Sequence, residues 1–76
     1  MNRERRKRLT AALEQIEAAK SEIEEIREEE NDAYENLPEG LQMAERGETM
    51  ANNVESLDNA LSSLDEVIDY IQEIEL

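Results

Sequence analysis

The sequence has no cysteine, histidine, phenylalanine or tryptophan, and only one proline, two glycines and two tyrosines in 76 residues. Each absence removes a class of structure or chemistry. Without Cys, no disulfide staples the chain and the redox compartment leaves no mark. Without Cys and His, the usual zinc and iron ligand sets cannot be assembled, and a bundle di-iron site lacks its Glu-x-x-His element. Without His, a nucleophilic triad has no general base. Ser21, Ser56, Ser62, Ser63, Thr10 and Thr49 have no evident activating partner, so no catalytic residue and no enzyme activity are expected. Carboxylates abound, but acid–base work needs a cleft that shifts their pKa values. A chain this short offers only a thin core of Leu, Ile, Val, Met and Ala. No cofactor or metal is expected.

Basic charge is scarce as well: 8 Lys and Arg stand against 21 Asp and Glu, a net of −13. The imbalance is local. Residues 1–8, MNRERRKR, hold five basic side chains and one acidic, a net of +4, which leaves −17 for the remainder. No basic residue follows Arg46. Such a body repels nucleic acid and anionic membrane and attracts basic surfaces. No stretch approaches the ~18 apolar residues that a membrane span needs. The basic start is not followed by the apolar run of a signal peptide. These features predict a cytoplasmic protein.

What is present is helical periodicity. Leu9, Ala12, Ile16, Ala19, Ile23, Ile26, Ala33 and Leu37 recur at spacings of 3 and 4, broken only by Glu30, and Leu13 and Tyr34 widen the stripe. Glu, Lys, Arg and Gln fill the gaps, and all are good helix formers. This pattern predicts an amphipathic helix over about residues 2–36. A second stripe is Val54, Leu57, Leu61, Leu64, Ile68 and Ile71, preceded by Met50 and broadened by Ala60, Val67 and Ile74. It predicts a second helix over about residues 45–74, with an acidic face of Glu48, Glu55, Asp58, Asp65, Glu66, Asp69 and Glu73. Both stripes are wider than the seam of a two-stranded coiled coil and suit a bundle. The expected fold is all-α. It is a single antiparallel helical hairpin, paired with a second copy into a four-helix bundle or coiled coil rather than left as a loose monomer. The expected seam is Leu9, Leu13, Ile16, Ile23, Ile26, Val54, Leu57, Leu61, Leu64, Ile68 and Ile71. In a hairpin the basic octet of residues 1–8 is expected beside the acidic end of the second helix, each offsetting the other's clash with its helix dipole.

The intervening stretch, residues 37–44, is the expected elbow. Pro38 ends the first helix and suits the first position of a new turn. Gly40 permits unusual dihedrals, and Gly47 is expected only to weaken the helix around it. Leu37, Leu41 and Met43 are expected to cover the open end of the bundle. Arg46 stands alone in an acidic field, either holding Glu48 or a neighbouring carboxylate or presenting a cation at the tip. The runs Asn36-Leu37-Pro38-Glu39-Gly40-Leu41-Gln42 and Glu45-Arg46-Gly47-Glu48-Thr49-Met50 resemble a pattern in small acidic helical proteins of low-GC Gram-positive bacteria and their phages. No established function comes with that family. The resemblance covers about half the chain and implies a helical hairpin and a phage or prophage origin.

Other motifs read as solvated helix. Asp58 to Asp69, DNALSSLDEVID, lacks the central Gly and alternating oxygen ligands of a calcium loop. Glu28, Glu29 and Glu30 collect cations diffusely at most. The octet has no aromatic neighbour for base stacking, so direct nucleic-acid binding is not expected. Two functions remain. One is a structural or adaptor module that binds proteins through its apolar seam or elbow. The other is a decoy for a basic nucleic-acid-binding protein. A dimer would carry twice the −13 of one chain along a helix of ~45 Å, a charge density close to that of duplex DNA.

Overall fold

Asn2 opens the first helix: its side-chain Oδ1 accepts a hydrogen bond from the Arg5 backbone N–H at 2.8 Å. This is the ordinary N-cap arrangement, which satisfies one of the orphan donors of the first turn. Helix α1 then runs from Arg3 to Glu35 without interruption. It stops at Asn36, as expected from Pro38 two residues on, which cannot donate and disfavours helix before it. Pro38 caps a single turn, α2 (Glu39–Gln42), and the chain enters α3 (Glu45–Gln72) through Ala44. The computed structural model describes residues 1–74.

The two long helices pack against one another as an antiparallel hairpin, with Lys20 joined to Asp65 and Arg27 to Asp58. The molecule is a rod of 58 × 15 × 12 Å. Its core is a single seam. Val54 is the one buried hydrophobic residue among those described, and it is still 9% exposed. From α3, Leu57, Leu61, Leu64, Ile68 and Ile71 line the seam half-buried. From α1, the half-buried row is Leu9, Leu13, Ile16, Lys20, Ile23, Arg27, Glu30, Tyr34 and Leu37, spaced 4 and 3.

That row differs from the expected stripe. Leu9, Leu13, Ile16, Ile23, Tyr34 and Leu37 are shared, but α1 is turned about its axis. The positions next to Leu9, Ile16 and Ile23 in the seam are Leu13, Lys20, Arg27 and Tyr34; of the expected flank Ala12 is half-buried, whereas Ala19, Ile26 and Ala33 are exposed. Ile26 faces outward and is 45% exposed. The physical reason is area. The methylene stems of Lys and Arg cover more apolar surface than an Ala methyl, while their charged heads stay in water. On this hairpin those heads also find carboxylates on α3.

The pairing of Lys20 with Asp65 and of Arg27 with Asp58 places Leu13 level with Gln72. The basic octet therefore lies beyond the last turn of α3, Gln72, and all eight of its residues are exposed. Among the described residues it forms no ion pair with α3, in contrast to the expectation that it lies beside that helix's acidic end. The clash of Arg3, Arg5 and Arg6 with the α1 dipole is not offset within the hairpin.

Candidate functional site

The elbow is built by two close contacts. Gln42 closes α2, and its side-chain Nε2 donates to the carbonyls of Tyr34 and Leu37, each at 3.2 Å, and of Glu35 at 3.4 Å. It thus caps the C-terminal end of α1, whose last carbonyls have no partner within their own helix. Gly47 is buried in the first turn of α3, directly against α2. A Cβ built on it would fall 2.5 Å from the Leu41 carbonyl oxygen, 2.6 Å from the Gln42 carbonyl carbon, and closer still to Gln42 O. Glycine is needed there because two backbones touch. Gly40 is the reverse case. It has no positive φ, and a Cβ on it would meet nothing within 4 Å. The unusual dihedrals that Gly40 permits are not used. The expected apolar lid is corrected: Leu37 is half-buried, but Leu41 is 46% and Met43 88% exposed. Pro38 and Arg46 are exposed, and among the described residues Arg46 is in no ion pair.

One long side of the hairpin is a polar ladder. Arg27 Nε donates to Asp58 Oδ1 at 2.8 Å, and its Nη1 reaches Glu28 at 2.9 Å. Lys20 Nζ is bonded to Asp65 and lies 3.9 Å from Glu24. The hydrogen bond that Lys20 donates to Asp65 holds its ammonium above its ordinary pKa, and those that Arg27 donates to Asp58, then Glu28, do the same for its guanidinium. On the other side of the seam, Asn53 Nδ2 donates to Glu30 Oε2 at 3.1 Å, a single link. Glu30 breaks the apolar repeat of α1 but is held across the seam by this bond.

The opposite long side carries no such ladder. On α1 it presents Ala12, Ala19, Ile26 and Ala33, seven residues apart. On α3 it presents Asn53, Ala60 and Val67 at the same interval, flanked by Ser56, Ser63 and Tyr70, and Ile74 continues the row just past the helix end at Gln72. Val67 is 41%, Ile74 39% and Tyr70 68% exposed. Not one acidic residue of α3 falls on these positions. Glu48, Glu55, Glu66, Asp69 and Glu73 project from the outer side of α3 and are exposed, while Asp58 and Asp65 are the two carboxylates bound in the ladder. Sequence reasoning missed the roles of Lys20, Arg27, Asn53 and Gln42. The signal for the first two is that spacing of 4 and 3 from Leu9 runs without a gap through both of them to Leu37.

Among the described residues, no three carboxylates converge where they would hold a metal ion, and no helix is long and apolar enough to cross a membrane. No family model matches the chain, and no curated protein and no solved structure matches it.

Proposed function

We propose that the chain is a non-enzymatic helical hairpin that self-associates, two copies forming a four-helix bundle, and that it works as a structural or adaptor module for other proteins. The observation that carries this reading is surface area. A compact protein of 8.8 kDa exposes about 4,800 Å². This hairpin exposes 5935 Å², roughly 1,100 Å² more, and a standard interface removes roughly 800 Å² from each partner. With one hydrophobic residue buried among those described, the seam alone gives little reason for a unique fold. A second copy supplies the missing half of the core.

The alternative is a decoy that presents its carboxylates to a basic, DNA-binding protein. The ladder weakens that reading, because Lys20 and Arg27 occupy Asp65 and Asp58 and leave a shorter acidic row on α3. The two functions separate in one assay. A decoy displaces duplex DNA from a sequence-independent DNA-binding protein, and added salt abolishes the effect. The module proposed here displaces none at physiological salt. Its melting temperature falls when the protein is diluted a hundredfold, because folding and association are one equilibrium. Displacement together with a dilution-independent melt would reverse the ranking.

A further inference from the structure

We propose that the side of the hairpin opposite the ladder is the contact between two copies, and that the copies lie antiparallel, each basic octet seated on the acidic elbow half of the other. This rests on the self-association just proposed and adds its surface, direction and register.

The surface is set by charge. A chain of net −13 cannot bring two acidic faces together without repulsion. The only long side of α3 free of acid is the one bearing Ser56, Ala60, Ser63, Val67 and Tyr70, which Ile74 continues past the helix end. Across the seam α1 continues it with Ile26 and with Ala12, Ala19 and Ala33, three small residues that let a second backbone come close.

The direction follows from the octet. In a parallel pair the two octets would meet at one end and the two acidic elbows at the other. In an antiparallel pair each octet reaches the half of α1 that holds Glu28, Glu29, Glu30, Asp32 and Glu35 in the other copy. Five basic side chains that pair with nothing on α3 in the hairpin then face carboxylates.

The register follows from size. Two antiparallel α1 helices matched about Ala19 set Ile26 of one copy over Ala12 of the other. They set Glu22 against Gln15, and Glu29 against Arg8. On α3 the same placement brings Val67 near Val67, and Ile74 over Ala60. Large residues meet small ones, and acids meet an amide or a base. Arg5, Arg8 and Ala12 already line one open hollow with Met1 and Leu9, so the basic side chains share the side on which the contact falls. Size and charge select the same alignment independently.

Because the chain has no cysteine, single-cysteine variants test this directly. Under a short thiol-reactive crosslinker, Ala19→Cys, close to the dyad, should form a covalent dimer. Ser62→Cys, on the outer side, should not. Ala12→Cys should remain uncrosslinked alone and link when mixed with Ile26→Cys. Arg8→Glu should weaken self-association about tenfold, since two symmetry-related contacts turn from attraction to repulsion. Adding Glu29→Arg to it should restore the dimer. If the protein is a dimer but Ala19→Cys does not link, or if the charge reversal fails to rescue, this face and direction are wrong while self-association stands. A monomer at all concentrations overturns both.

Discussion

Replacing each glycine by alanine should move stability in opposite directions. At Gly47 an added methyl would sit 2.5 Å from Leu41 O and nearer to Gln42 O. Both are backbone atoms, so nothing flexible can yield, and α2 must lift from α3. Forcing a methyl into such a contact costs about 1–3 kcal/mol. Displacing Gln42 weakens its three bonds to the end of α1, a further loss of about 1 kcal/mol. Against this, Ala in place of Gly in a helix gains about 1 kcal/mol. The net is a destabilisation of about 1–3 kcal/mol, or about 5–20 °C in melting temperature for a domain of this size. Gly40→Ala meets open space at a negative φ. It should gain about 0.4–1 kcal/mol by restricting the unfolded chain. Thermal melts followed by circular dichroism, at one fixed protein concentration, measure both. If Gly47→Ala stabilises the protein as Gly40→Ala does, α2 does not rest on Gly47 and the account of the elbow fails.

Three further outcomes follow from the contacts. Gln42→Ala should lower stability by about 1 kcal/mol, since the last two α1 carbonyls, Tyr34 and Glu35, and that of Leu37 lose their side-chain donor; an unchanged urea midpoint would remove Gln42 from the elbow. Lys20 is held above its ordinary value of 10.5 by Asp65, so its contribution is complete below that value and is lost as pH rises through the higher folded value. The melting temperature should therefore fall less steeply above about pH 10.5 in Lys20→Met than in the parent, and parallel curves would show that the rung stabilises nothing. Sodium chloride at neutral pH should raise the melting temperature, because screening relieves the repulsion among 21 carboxylates more than it weakens the few exposed pairs; a fall would show that pairing dominates.

Both long helices were legible in the heptads, and Pro38 marked the end of α1. What the pattern did not reveal is how α1 is rotated. Hydrophobicity alone ranks Ala19 and Ile26 above Lys20 and Arg27 for the seam. The fold reverses that order, because a long stem beneath an anchored charge packs better than a methyl and because Asp58 and Asp65 stand two turns apart on α3, matching Lys20 and Arg27 on α1. The same spacing in α3 explains why Ala60, Val67 and Ile74 widened its stripe in sequence without joining the seam. They belong to the other side of the hairpin. The role of Gly47 was missed for a related reason. Dihedral preference is a local property, whereas the contact of Gly47 with Leu41 and Gln42 exists only once α2 has folded back. The place of the basic octet depends on where α3 ends relative to α1, and this was fixed by the Lys20 and Arg27 rungs, which the apolar pattern hid.

The central claim is that one hairpin is half a core. Sedimentation equilibrium at micromolar concentration in ordinary salt measures it most directly. The account predicts a mass of about twice the 8.8 kDa chain, falling toward the single-chain value on dilution together with helix content. A mass of one chain, with a cooperative melt that does not change with concentration, would contradict it.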